Sequence, residues 1–244
     1  MTENIYDDRD FFAAYEQLGR SMRGLDGAPE WSSVRALLPE LVAARVVDLG
    51  CGFGAFARWA VSAGATDVLA LDGSARMLER AQTSTDAPGV RYELVDLNEL
   101  VLPPAAFDLA YSALVLHYIA DLPRFARAVH DALRPGGRLV LTTEHPVFMA
   151  STRSDFVDIE GVRAWPVDHY ADEGERTTNW LVPGVRKWFR STGTIVNTLI
   201  EAGFVIHRLI DWTPTAEQVA ATPALEEERD RPAFLVIAAD CARR

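Results

Sequence analysis

The chain has little of what several protein classes require. Of its 244 residues only two are cysteine, Cys51 and Cys241. That is too few for a disulfide framework or for a zinc site of about four ligands, and a reducing compartment fits best. No stretch approaches the roughly 18 continuous apolar residues of a membrane span; the longest candidate, Leu109 to Ala120, is short and contains His117. Positive charge is scarce: 24 Lys and Arg stand against 35 Asp and Glu, a formal net charge of −11. Phosphate-tracking surfaces are built from basic residues, so nucleic acid is not the expected partner. The N-terminus is acidic and lacks the basic region and apolar stretch of a signal peptide. The expectation is a cytoplasmic protein, monomer or homodimer, with no membrane partner and no metal.

What is present is globular: 49% hydrophobic and 24% charged residues, with 16 Gly and 13 Pro, values that exclude disordered, collagen-like and coiled-coil classes. Two helices open the reading, around Asp10 to Arg20 and about Glu30 to Ala43. From Arg45 short apolar runs alternate with helical periodicity. Val46 to Leu49, Val68 to Leu71, Val90 to Val95, Phe107 to Ser112 and Arg138 to Thr143 read as strands. Helices lie between them, one starting at Ser74 as an N-cap and another marked by Leu122, Phe125, Ala126, Val129 and Leu133. Strict alternation implies a parallel sheet with helices on both faces. After Thr143 it stops, and His145 to Arg190 is aromatic and turn-rich, expected to pack as a lid of short strands or turns. A helix from Ser191 to Gly203 and strands at Phe204 to Trp212 and Ala233 to Ala239 complete the chain. Between those strands, Glu226 to Arg231 is a charge run, expected to be a solvated face.

The chemistry concentrates at strand ends. Val46-Val47-Asp48-Leu49-Gly50-Cys51-Gly52-Phe53-Gly54 is a glycine-rich strand-to-helix turn that lets a ligand approach the backbone closely. Dinucleotide-binding proteins use similar loops, so an NAD-dependent oxidoreductase is an alternative. Against it, Asp48 would repel a pyrophosphate and attract an ammonium group. Asp72, 22 positions after Gly50, can accept hydrogen bonds from both hydroxyls of a ribose. Asp96 can accept from an exocyclic amine of adenine while Leu97 packs on the ring. All three acids close strands at the carboxyl edge, where such sheets bind ligands.

With these motifs the chain resembles the class I S-adenosylmethionine-dependent methyltransferases, close to the methyltransferase type 11 group and more distantly the quinone-biosynthesis C-methyltransferases. The matching pieces also include Leu-Ala-Leu-Asp at 69 to 72, Val-Asp-Leu at 95 to 97, Phe-Asp-Leu-Ala-Tyr-Ser at 107 to 112 and Leu-Arg-Pro-Gly-Gly-Arg-Leu-Val-Leu at 133 to 141. The resemblance implies an α/β fold: a doubly wound, Rossmann-like seven-stranded sheet, mostly parallel with an antiparallel last strand, plus the lid inserted after strand 5. One methyltransferase domain would span 1–244, with an N-terminal helical cap (1–44), a cofactor-binding core (45–143), a lid for substrate (144–190) and the last helix and strands 6 and 7 (191–244). It further implies S-adenosyl-L-methionine as cofactor. Asp48, Gly50, Cys51 and Gly52 would line its methionine end, Asp72 its ribose, and Asp96 and Leu97 its adenine. Ser112 to His117 would face the sulfonium and the acceptor. Tyr15 or Arg20, on a segment that closes over the cofactor in related enzymes, would meet the methionine carboxylate.

Methyl transfer from a sulfonium is an in-line displacement that asks mainly for positioning and exclusion of water. The expected acceptor is an O or N atom of a small molecule. His117, just past the fourth strand, is the first candidate for a general base, and His145, held extended before Pro146, the second. Trp165, Trp180 and Trp188 suit a lid core over a flat or apolar ligand. Arg186, Lys187 and Arg190 form a basic patch that either pairs with an acidic substrate group or lies in solvent. Amino-group methylation of DNA is disfavoured because Ser112-Ala113-Leu114-Val115 lacks the Asn/Asp-Pro-Pro-aromatic pattern. A non-methylating reaction or a binding role on the same fold is the remaining alternative.

Overall fold

The computed structural model describes residues 4–84, 87–153 and 155–242. Three short helices precede the sheet: α1 (Arg9–Tyr15), α2 (Gly19–Arg23) and α3 (Trp31–Arg35). Asp8 caps α1 by accepting from the Asp10 and Phe11 amides. All three are shorter than the sequence periodicity suggests. The first expected helix is broken after Tyr15 and restarts at Gly19, and the second stops well before Ala43. Pro39 accounts for that end, since it disfavours helical backbone at Leu38, and Ala43 itself adopts a positive φ of 59°.

Strand and helix then alternate, except that only a 3-10 turn (Leu97–Glu99) separates β3 from β4 where strict alternation is expected: β1 (Arg45–Leu49), α4 (Ala55–Ser62), β2 (Asp67–Asp72), α5 (Ala75–Thr83), β3 (Val90–Leu94), β4 (Phe107–Ala113), α6 (Leu122–Ala132) and β5 (Leu133–Glu144). Ser74 caps α5 through the Met77 amide, and Asp121 caps α6 with Pro123 in its first turn. After β5 come α7 (Pro146–Ala150), the hairpin strands β6 (Val157–Ile159) and β7 (Val162–Ala164), and a second hairpin of β8 (Gly174–Trp180) and β9 (Val182–Phe189). α8 (Thr192–Glu201), β10 (Phe204–Trp212), α9 (Ala216–Ala221) and β11 (Phe234–Cys241) finish the chain.

Seven strands form one sheet in the order β10-β11-β5-β4-β1-β2-β3. β1 pairs in parallel with β2 and β4, β2 with β3, and β4 with β5, whereas β11 runs antiparallel to both β5 and β10. The expected mostly parallel, seven-stranded α/β sheet with an antiparallel last strand is the observed one. Because the chain moves outward through β2 and β3 and returns to the other side of β1 at β4, the carboxyl end of β1 lies at the topological switch point, where this architecture opens a crevice.

Both sheet faces are covered. Val47, Leu49, Leu71 and Ile237 pack toward α6 and α8, and Val46, Val68, Ala70 and Val236 pack toward α3 and α4. The period-two alternation of the strands therefore finds a helix on either side.

The charge run is solvated at Glu226, Arg229 and Asp230, as expected, but not at its last residue. Arg231 is only 8% exposed, its guanidinium stacked 4.6 Å from the Trp165 ring and 4.7 Å from Phe148, with Glu228 paired to it at 3.1 Å. An aromatic-rich excursion needs a planar cation to fill its gaps, and Arg231 supplies it.

Arg176 of β8 ties the second hairpin down. It donates to the carbonyls of Met149, Ala150, His169 and Asp172 and lies 3.9 Å over the Phe189 ring. Arg176→Ala removes donors from four carbonyls at once and is expected to lower stability by about 2 to 3 kcal/mol in urea denaturation. Arg176→Lys, lacking the planar fork, recovers little of it. A wild-type midpoint for the alanine variant contradicts this role.

Candidate cofactor and acceptor site

The glycine loop between β1 and α4 is wound by three positive φ angles, 79° at Gly50, 52° at Gly52 and 72° at Gly54. The three differ in what surrounds them. A Cβ on Gly50 would overlap Val115 Cγ2, and one on Gly54 the Tyr92 hydroxyl, whereas one on Gly52 would meet nothing within 4 Å. Gly52 thus borders open space while its neighbours are packed. Cys51 is a buried free thiol whose burial pushes its pKa well up, a small filler inside the turn.

Asp48 is 1% exposed and, among the described residues, its Oδ2 has no hydrogen-bond partner. Burial, followed by the facing charge of Asp72, raises its pKa well above the ordinary carboxylate value. A buried carboxylate oxygen left without a donor calls for a cation. Asp72 closes β2 and accepts from the Gly52 amide at 2.8 Å and the Ser74 amide at 2.9 Å, tying the loop to the second strand. Asp96 accepts from the Asn98 amide at 2.9 Å and remains exposed, and buried Leu97 lies beside Gly50. Ser112 is fully buried and spends its hydroxyl on the Leu49 carbonyl at 3.2 Å, so it braces β4 against β1.

The N-terminal segment lies across this edge. Asp7 accepts from the Ser74 hydroxyl at 2.7 Å and from the Arg76 amide. Behind that anchor, Tyr6 packs edge-on against Phe11, Tyr15 and Tyr118, and its hydroxyl donates to the Tyr118 hydroxyl at 3.2 Å. Tyr15 reaches Phe53 of the glycine loop and Trp180 of the second hairpin, at ring separations of 5.9 and 6.3 Å. Arg20 donates to Glu30 at 2.9 Å in a largely buried pair and lies 5.6 Å from the Phe234 ring. A guanidinium carries five N–H donors, and among the described residues Glu30 is the one carboxylate paired with Arg20.

At the far end of the same edge, His117 is 4% exposed, and its Nδ1 has no hydrogen-bond partner among the described residues. Burial above all lowers its pKa to about 4, with Lys187 adding to the effect and Glu144 opposing it. Glu144, closing β5, accepts from the Lys187 ammonium at 2.5 Å. Lys187 is 2% exposed and sits 4.8 Å over the Trp180 ring. The expected basic patch is therefore no patch: alternation on β9 turns Lys187 inward and Arg186 outward to Glu175, and Arg190 caps the carbonyls of Leu116, Ile119 and Ala120. His145 is taken up elsewhere. Its Nδ1 accepts from the Val147 amide at the start of α7 and its Nε2 donates to Asp211 at 2.8 Å, leaving neither nitrogen free for an acceptor.

Glu144, Tyr6 and Tyr118 had no place in the sequence reading of the site. Glu144 carries the same signal as Asp48, Asp72 and Asp96, an acid ending a strand of the sheet. The two tyrosines meet across 112 positions of chain, a contact no local pattern announces.

Residues 47–141 match the methyltransferase domain model. A solved S-adenosylmethionine-dependent methyltransferase from Mesorhizobium loti is 51% identical, superposes with a TM-score of 0.85, and is covered over 100% of its length by 89% of this chain. The chain belongs to the S-adenosylmethionine-dependent methyltransferases. An uncharacterized protein of Haemophilus influenzae is 32% identical over 215 residues, 84% of this chain and 85% of its own. A malonyl-[acyl-carrier protein] O-methyltransferase of Pseudescherichia vulneris is 41% identical over 108 residues, 44% of this chain and 42% of its own.

The residues present suit the cofactor of this methyltransferase family. The partnerless Asp48 oxygen awaits a cation, Gly52 leaves a cradle that a side chain would fill, and the carboxylate of Asp72 has lone pairs beyond its two amide donors.

A pH dependence follows. Burial chiefly, with Asp7 adding and the Ser74 and Gly52 amides opposing, raises Asp72 to about 6. Since the native state then keeps a proton that the unfolded chain loses near pH 4, this group favours the ligand-free protein at the acid end, and on the order of 3 kcal/mol is lost as pH rises from about 4 to about 6. Melting temperature is expected to climb as the pH is lowered from about 6.5 to 4.5, and Asp72→Asn to flatten the climb. A wild-type profile without that rise contradicts the assignment.

Proposed function

We propose that this methyltransferase transfers the methyl group of S-adenosylmethionine to an oxygen or nitrogen of a small, flat molecule held at the β4–β5 end of the carboxyl edge. The observation that carries the reading is the continuity of the aromatic wall. Tyr118, Tyr6, Tyr15 and Trp180 run in edge-to-face contact from His117 to the glycine loop and the second hairpin. Such a wall suits a planar, largely apolar ligand and excludes water from the displacement.

When bound, the cofactor supplies an electrophilic methyl group on a positively charged sulfur. The chain's own residues hold and enclose. Asp48 takes the ammonium group of the methionine moiety and Arg20 its carboxylate, Asp72 the ribose, and Leu97 with Asp96 frames the adenine. Residues 144–190, fastened by Arg176 and the Lys187–Glu144 pair, act as the lid on the acceptor side. The Pseudescherichia relative, named for O-methylation of a malonyl group, supports an oxygen acceptor on the shared cofactor core.

His117 serves this reading as a neutral hydrogen-bonding group. With its pKa lowered to about 4 it is a weak proton acceptor at neutral pH. His117→Asn is expected to lower kcat/KM no more than about tenfold with an unchanged pH profile; a loss of about 100-fold or more would restore it as the general base.

A further inference from the structure

The acceptor end of the site holds a buried charge that positioning alone does not require. Lys187 is 2% exposed, an environment that side chain seldom occupies without a specific partner. One of its three donors goes to Glu144 and another side of the ammonium faces the Trp180 ring; among the described residues the third donor has no partner. A buried ion pair of this kind adds little stability over an apolar replacement, so its presence asks for another use.

The groups around Lys187 narrow that use. His117 on the turn before α6 stays neutral, with its pKa near 4. Burial would raise Glu144, yet the Lys187 ammonium bonded to it holds it below the usual carboxylate value. Tyr6 and Tyr118 are raised, first of all by burial. None of these groups takes up a proton readily at neutral pH, so an acceptor that must be deprotonated finds no sink here.

Charge balance points the same way. The Lys187–Glu144 pair is neutral, and in the methyl-transfer reading the cofactor would bring one positive sulfonium to the site. An acceptor that arrives as an anion restores neutrality, and the pocket is neutral again once the methyl group has moved. A neutral amine or alcohol leaves a positive charge or a proton behind in a dry site.

We infer that Lys187 is the acceptor-binding cation and that the acceptor is a small, planar, largely apolar carboxylic acid methylated on its carboxylate. The inference rests on the methyl-transfer reading above. The carboxylate oxygen bonds to the methyl carbon as the carbon–sulfur bond breaks. The acid becomes a neutral methyl ester, the sulfonium a neutral thioether, and no proton is released.

The test uses the full chain with S-adenosylmethionine and a panel of benzoic, cinnamic, phenylacetic and short unsaturated aliphatic acids, each beside the alcohol or phenol and the amine of the same skeleton. Ester formation from one or more acids, with no product from its matched phenol, alcohol or amine, is expected. The double variant Glu144→Gln/Lys187→Gln, which leaves no unpaired buried charge, is expected to bind S-adenosylmethionine within about threefold of wild type, while KM for the acid rises about 100-fold. Calorimetric binding of the acid in the presence of S-adenosylhomocysteine weakens in parallel, and Lys187→Arg retains ester formation. Methylation confined to phenols, alcohols or amines, no binding or turnover of any acid by a chain that binds the cofactor, or an unaffected double variant overturns the inference. Failure of the wild-type chain to bind S-adenosylmethionine overturns the site reading beneath it instead.

Discussion

Asp72→Ala is expected to weaken S-adenosylmethionine binding by about 10- to 100-fold, the worth of roughly 1 to 3 kcal/mol in lost charge-assisted hydrogen bonds. The carboxylate does two jobs at once. Its oxygens hold the Gly52 and Ser74 amides, which fixes the loop against β2, and their remaining lone pairs are the ones proposed to accept from the ribose hydroxyls. The substitution also removes the half-buried acid whose repelling charge helps raise buried Asp48. Stability is therefore expected to change much less than affinity, because relief of that repulsion offsets the two orphaned amides. Titration calorimetry beside urea denaturation separates the two effects. Unchanged affinity contradicts the ribose assignment, and an unfolded variant shows Asp72 to be a purely structural brace.

The second large effect distinguishes two glycines two positions apart. Gly50→Ala places a methyl group against Val115 Cγ2 at a backbone φ of 79°, where strain and overlap add. A loss of about 3 kcal/mol or more is expected, enough to leave much of the chain unfolded. Gly52→Ala meets open space at a φ of 52°, so only the left-handed conformation costs, about 1 kcal/mol. That variant folds, but its methyl group occupies the cradle, and cofactor affinity is expected to fall by about 100-fold or more. A Gly52→Ala chain that binds like wild type, or a Gly50→Ala chain as stable as wild type, contradicts the division of roles.

The inner strands of the sheet were legible because each is a short apolar run buried on both faces, and the edge strands because apolar residues still recur along them. Phe204–Trp212 follows its sequence reading residue for residue, and α6 is marked by its apolar stripe and by Asp121 and Pro123. The N-terminal helices were overextended because periodicity does not register the turn before Gly19 or the effect of Pro39 on Leu38. At the site, Asp48, Asp72 and Gly52 could be located since one supersecondary unit holds them close in sequence. Glu144 obeys the same strand-end logic and shows how far that rule extends. The Tyr6–Tyr118, Tyr15–Trp180 and Lys187–Glu144 contacts join segments 43 to 165 positions apart and depend on the chain folding back over the edge. Arg231 illustrates the same limit: within its charge run it reads as solvated, and only the hairpin aromatics that arrive from the other end of the excursion bury it.

The central claim is that the partnerless oxygen of Asp48 and the open cradle at Gly52 receive the methionine end of S-adenosylmethionine. Titration calorimetry of the wild-type chain and Asp48→Ala, with S-adenosylmethionine and with NAD, tests it most directly. One site of roughly micromolar affinity for S-adenosylmethionine, about 100-fold weaker in Asp48→Ala, with no heat from NAD, is the predicted result. Binding of NAD, or of S-adenosylmethionine equally by both chains, contradicts it.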